Sequence, residues 1–141
     1  MRVVADTNIV ISGLLWRGPP RQLLNEARAG VIVLFTTLSL LAELEDVPKR
    51  EKFAERLGLA GVTVRQLVLG YAALAVVVEP VAVERIVAQD PKDDEVLSCA
   101  LAAKAEAIAS GDRHLLKIGE HGGIPILTAN ELLNRLAAYD S

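Results

Sequence analysis

The chain has 141 residues, of which 52% are hydrophobic and 23% charged; this excludes an intrinsically disordered protein and fits one domain, residues 1–141, with its own core. The net charge of −3 is uneven, with nine Lys/Arg against seven Asp/Glu in residues 1–70 and six against eleven in residues 71–141, so there is no broad basic field to hold nucleic acid. A lone cysteine, Cys99, excludes a disulfide framework and a multi-cysteine zinc site. No apolar run nears the roughly 20 residues of a membrane span, and the opening lacks a secretory pattern, so a cytoplasmic protein is expected.

In chain order, short apolar strands alternate with amphipathic helices. Arg2 to Ala5 reads as a strand. Ile9 to Trp16 reads as a helix closed by Gly18-Pro19-Pro20, and Arg21 to Ala29 as a second, with Gly30 just past its end. Val31 to Phe35 is a strand, and Leu38 to Val47 is a helix that Pro48 breaks. Glu51 to Leu57 and Val64 to Ala73 are helices, and Ala75 to Val78 is a strand closed by Glu79-Pro80. Val81 to Ala88 is ambiguous. Glu95 to Lys104 is an alanine-rich helix, Ala107 to Ala109 a strand, and Gly111 to Ile118 a helical turn or two. Ile124 to Leu127 is a strand and Asn130 to Ala138 a closing helix. Strands that are nearly all apolar rather than alternating suit a parallel sheet covered on both faces, so an α/β three-layer fold is expected.

In an open parallel sheet the functional crevice lies beyond the carboxyl ends of the strands. Asp6-Thr7-Asn8 follows the first strand, and Ser110-Gly111-Asp112 follows the strand at 107–109. Helix capping alone also accounts for Asp6 and Asp112. Glu43 shares a helical row with Leu40 and Val47 and has no basic residue four positions on. Glu45 and Asp46 have Lys49 and Arg50 at that spacing, which makes them solvated-face acids. Glu43 is therefore read as inward-facing, with a half-exposed helix end as the alternative. In Asp90-Pro91-Lys92-Asp93-Asp94-Glu95, Asp93 shares its row with Leu97 and Ala100. Asp93 is the inward acid, and Asp94 or Glu95 caps the helix or faces solvent. Four crowded carboxylates without an inward base call for divalent cations, and oxygen ligands suit Mg²⁺ or Mn²⁺ rather than Zn²⁺. His114 and His121 have no metal-ligand spacing.

These residues, in this order, resemble the PIN-domain nucleases, over nearly the whole chain from Arg2 to about Leu136. Within that family the chain is similar to the toxin branch of prokaryotic toxin–antitoxin pairs, the VapC-type proteins. The resemblance implies a PIN-like fold with a parallel sheet of about five strands flanked by helices. It implies an endoribonuclease using one or two Mg²⁺ or Mn²⁺ ions, a homodimer, and an antitoxin partner. Asp6, Glu43, Asp93 and Asp112 match the family's acidic quartet of catalytic metal ligands. Asn8 matches its polar companion, Ser110 matches a supporting hydroxyl, and Asp94 stands beside Asp93 as a further supporting acid. The chain departs from many relatives in carrying His114 where they have another acid.

Other residues have simpler readings. Arg17, Arg21, Lys92 and Arg113 stand next to the site-bearing loops and could track an RNA backbone, although solvated surface charge is their default. Trp16 could stack on a base but more simply packs in a core or interface. Leu67, Val68, Tyr71 and Leu74 form an apolar stripe, and Cys99 reads as a small buried hydrophobe. Two rivals remain. A catalytically degenerate PIN domain would bind RNA or protein without cutting. A haloacid-dehalogenase-like phosphohydrolase needs a second acid two residues after the first, where this chain has Asn8.

Overall fold

A computed structural model describes residues 1–46, 51–81 and 91–139, without the side chains of residues 51, 52, 91, 92 and 139. The strands are β1 (Arg2–Ala5), β2 (Val33–Thr36), β3 (Val76–Val77), β4 (Ala107–Ala109), β5 (Glu120–His121) and β6 (Ile124–Leu127). The helices are α1 (Thr7–Leu15), α2 (Pro19–Arg28), α3 (Leu38–Asp46), α4 (Glu51–Ala60), α5 (Val64–Leu74), α6 (Pro91–Ala102), α7 (Arg113–Ile118) and α8 (Ala129–Tyr139). The sheet order is β3-β2-β1-β4-β6-β5. The first five of these run parallel, and β5 alone pairs antiparallel, with β6. The expected α/β architecture with five parallel strands is the one observed.

The alternation of side chains along each strand builds two cores. Val3, Ala5, Leu34, Ala107 and Ala109 face one side, against α1, α2, α4, α5 and α8. Val4, Ile108, Ile124 and Ile126 face the other, against α6 and α7. Helix α3 serves both, with Leu44 in the first core and Leu40 in the second. Burial on both faces is why these strands carry no polar face.

Local chemistry sets the ends of the elements. Thr63 and Gln66 close a reciprocal capping box at the start of α5, and Thr128 and Glu131 do the same before α8, at 3.0 and 3.1 Å. Arg21 donates to the carbonyls of Gly13 and Leu14. Arg56 donates to that of Leu15. These two guanidinium groups satisfy the orphan acceptors at the end of α1.

Two expectations need adjustment. β5 was not foreseen. It is a two-residue strand whose hairpin turns on Gly122-Gly123, both at positive φ, and paired glycines supply the backbone that a tight hairpin demands. The alanine-rich helix starts at Pro91 and stops at Ala102, before Lys104 takes a φ of 51°. The Pro48 break, the partners Lys49 and Arg50, and residues 82–88 of the ambiguous segment lie outside the described residues.

Among the described residues no single helix is long and apolar enough to cross a membrane; Phe53–Ala60 and Val64–Leu74 reach the length only as a pair bent by 83°.

Candidate metal centre at the carboxyl edge of the sheet

Parallel pairing brings the acidic loops together. Ala5 pairs with Ala109, so β1 and β4 leave the sheet side by side at Asp6 and Ser110. The Asp6 amide donates to Ala109 O at 3.0 Å, which continues the ladder to the edge. Both predicted strand-end acids are helix N-caps. Asp6 Oδ1 accepts from the Ile9 amide at 2.9 Å. Asp112 Oδ1 accepts from the amides of His114 and Leu115 at 2.7 and 3.3 Å. Capping engages one oxygen of each carboxylate and fixes the direction of the other.

The second oxygen of Asp6 faces the neighbouring loop. It accepts from the Ser110 hydroxyl at 2.5 Å and from the Gly111 amide at 3.3 Å. Ser110 Oγ in turn accepts from the Asp112 amide at 3.0 Å. Asp6 is only 6% exposed. Burial pushes its pKa up, the three hydrogen bonds oppose this, and the charge of Asp112 raises it further. Asp6 is thus a desolvated carboxylate with a second acid within electrostatic reach.

Asp93 is buried in the first turn of α6, as its apolar row predicted. Asp94 and Glu95 are half-buried. Glu43 is half-buried on α3, between the buried Leu40 and Leu44. Its row partner Val47 lies outside the described residues. α3 and α6 pack on each other, and α6 also packs on β1. Asn8 is exposed in the first turn of α1, and His114 is exposed on α7.

Among the described residues no group of three or more His, Cys, Asp or Glu side chains is placed to hold a metal ion. The donor chemistry nevertheless fits a hard cation. Mg²⁺ keeps several waters and is commonly held by one or two carboxylates together with substrate phosphate. A buried Asp6 raised by its own desolvation and by Asp112 is a pair whose repulsion such an ion relieves.

A family model described as PIN domain matches residues 2–114. The chain belongs to the PIN-domain family. PIN domains are typically nucleases, and those nucleases generally use divalent metals. The comparison with curated proteins finds no match. For this PIN domain, the matched range contains all four acids of the predicted quartet.

Several candidate RNA contacts have structural work instead. Arg21 is committed to the end of α1. Trp16 is half-buried against the first core, edge-on to Phe53 at 5.9 Å and with the Arg56 guanidinium 5.6 Å from its ring centre, so its ring is engaged in packing. Arg17 and Arg113 are exposed, and the Lys92 side chain lies outside the described ones. Cys99 is buried, and desolvation pushes its thiol up to about 12, which makes it inert.

Sequence reasoning missed two residues of this edge. Thr37 follows β2 and is buried, and its hydroxyl accepts from the Leu40 amide at 3.2 Å. The rule that flags polar residues after strands marks it as clearly as Asp6. In the sequence Tyr71 reads only as part of an apolar stripe. Its hydroxyl is buried and has no hydrogen-bond partner among the described residues, and Cys99 and Asp6 both act on it electrostatically. No pattern in the sequence distinguishes that tyrosine from an apolar core aromatic.

Proposed function

We propose that this PIN domain is a Mg²⁺- or Mn²⁺-dependent endoribonuclease that hydrolyses RNA phosphodiesters. The observation that carries the reading is Asp6, a buried carboxylate held by Ile9, Ser110 and Gly111 beside a second acid, Asp112, at the carboxyl edge of the sheet. Asp6 and Asp112 would hold the ion, with Asp93 and Glu43 completing its surroundings. The ion, when bound, supplies acidification of water and positive charge against the charge that develops on phosphate. The chain's own contribution is orientation. Ile9 and Ser110 fix the two oxygens of Asp6, and His114 and Leu115 fix one oxygen of Asp112 through their amides. His114, where many relatives carry an acid, leaves fewer carboxylates for a second ion.

A role as the toxin of a toxin–antitoxin pair, working as a homodimer with an antitoxin partner, extends this reading from the resemblance to VapC-type proteins. The test is cleavage of a mixed, structured RNA pool with Mn²⁺ or Mg²⁺, beside chelator-treated controls and an identically prepared Asp6→Asn variant. Metal-dependent cutting that vanishes in the variant supports the proposal. A folded protein that neither cuts nor binds Mn²⁺ refutes it and favours a degenerate PIN domain.

A further inference from the structure

The Tyr71 hydroxyl has no work in the fold. The ring packs in the first core, and the hydroxyl is buried with no hydrogen-bond partner among the described residues. A buried polar group without a partner costs free energy, and most such groups in native proteins are satisfied. Phenylalanine would fill the same space without that cost. Native exceptions of this kind accompany a functional role or a bound water or ion.

The place of the hydroxyl points to the acidic site. Tyr71 stands one turn before the end of α5, where its carbonyl accepts from the Ala75 amide at 2.9 Å. α5 then leads straight into β3, whose Val76 pairs with Phe35, and Phe35 pairs with Val4. Two residues after Val4 stands Asp6. Tyr71 shares its core with Ala5, which precedes Asp6, and with Ile9, whose amide Asp6 caps. Burial is the main cause that holds the phenol above its ordinary pKa, and the charges of Cys99 and Asp6 add to it. Asp6 thus lies within electrostatic reach of the hydroxyl without bonding to it. The phenol stays neutral, a hydrogen-bonding group and not an anionic ligand.

Asp6 itself has little left to offer. A carboxylate has about four lone-pair positions, and Ile9, Ser110 and Gly111 take three of those on Asp6. A cation held by Asp6 takes the fourth. Mg²⁺ keeps several waters when a protein binds it. A cation also acidifies the water it carries, which makes that water a strong donor. A neutral phenol oxygen buried near the acid is an acceptor suited to such a water.

We propose that Tyr71 is a positioning residue of the acidic site, and that its hydroxyl takes its partner from the water shell of the divalent cation that Asp6 holds. The inference rests on the metal-dependent nuclease reading and gives that site a residue outside its carboxylates. The same orphan hydroxyl then lowers the stability of the metal-free protein and raises its affinity for the ion.

The test uses the full chain and needs no cleavage. Mn²⁺ is titrated into the parent, Tyr71→Phe and Asp6→Asn by isothermal calorimetry, and each is melted without metal. Asp6→Asn should bind no Mn²⁺, which places the binding at the acidic site. Tyr71→Phe should melt at or above the parent and bind Mn²⁺ about 10–100-fold more weakly, the scale of a lost partner around a metal site. A purely structural tyrosine moves the melting temperature and leaves Mn²⁺ affinity alone. Equal affinity in parent and Tyr71→Phe overturns the proposal. So does a lower metal-free melting temperature of Tyr71→Phe, since the hydroxyl then has a partner before any ion arrives. A second measurement leaves Tyr71 in place. Tyr139→Phe makes Tyr71 the one tyrosine of the chain, and its isotope-labelled Cζ resonance should shift when Mg²⁺ is added; an unmoved resonance overturns the proposal. RNA cleavage by a parent whose Mn²⁺ affinity Tyr71→Phe retains defeats the positioning role and leaves the nuclease reading standing. Weaker Mn²⁺ binding in Tyr71→Phe, with no RNA cleavage by the parent, does the reverse.

Discussion

Ser110 donates its hydroxyl to Asp6 across 2.5 Å while accepting the Asp112 amide at 3.0 Å. One fully buried side chain thus ties two strand-end loops together and orients the central acid of the proposed site. A smaller residue cannot do both. Ser110→Ala leaves a buried carboxylate short of a donor and a backbone amide short of an acceptor. The expected cost is about 1–3 kcal/mol, read as a lower urea midpoint at unchanged slope. Mn²⁺ affinity should fall as well, because Asp6 loses its fixed direction. An unchanged urea midpoint would show that the pair contributes nothing to folding.

Asp6 gives the protein a pH signature. Its folded-state pKa is raised, chiefly by burial and further by Asp112. Between the unfolded and folded values the folded form holds more protons than the unfolded form, so stability falls as pH rises through that window and stays lower above it. Asp6→Asn cannot ionise. Without metal, the stability of the variant relative to the parent should therefore grow as pH rises from the ordinary carboxylate range through the raised pKa of Asp6. Thermal melts across that range check the sign. Mn²⁺ should restore the parent and not the variant, since an ion that binds only the folded form stabilises it. A relative stability that shrinks with pH would contradict the raised pKa.

Most of this architecture was legible because burial writes itself into composition. β4 is apolar throughout and β1 is apolar after Arg2, and both match their expected bounds. Asp93 was separated from Asp94 by its row alone, and its burial agrees. What escaped has a physical reason in each case. β5 is two residues long and owes its existence to the turn at Gly122-Gly123. The packing of Trp16 under Arg56 joins α1 to α4, a contact between distant parts of the chain that periodicity does not register. Asp6 and Asp112 were ambiguous between cap and ligand, and they are indeed caps, through one oxygen each. A cap engages one oxygen of a carboxylate, so capping is compatible with the proposed ligand role and does not decide it.

Gly13 shows how tightly α1 and α2 meet. A Cβ built there would lie 2.7 Å from Leu24 Cδ1 and 2.8 Å from Pro20 O. The leucine can turn away, but the carbonyl is backbone and holds its place. Gly13→Ala gains up to about 1 kcal/mol of helix propensity. Overpacking costs about 1–3 kcal/mol. The net expectation is a destabilised protein, with the usual glycine-to-alanine gain in a helix reversed. Urea unfolding of Gly13→Ala decides it, and a raised midpoint would mean that the two helices separate without cost.

Tyr71 offers the opposite case, a substitution that removes a liability. Its ring packs in the first core and the residue is 2% exposed, while its hydroxyl has no hydrogen-bond partner among the described residues. Burial pushes the phenol above its usual pKa, and the nearby Cys99 and Asp6 push in the same direction. A buried hydroxyl without a partner carries its desolvation penalty uncompensated. Tyr71→Phe keeps the ring and deletes that penalty, so the metal-free melting temperature should hold or rise, by the equivalent of about 1 kcal/mol. Tyr71→Ala should cost about 3–5 kcal/mol through the cavity it leaves, on the scale of large aromatic deletions. Melting curves of the two variants, run beside the parent, separate ring from hydroxyl. A clear loss of stability in Tyr71→Phe would mean that the hydroxyl has a partner in solution, and a buried water between Tyr71 and the acids of the sheet edge would be the first place to look.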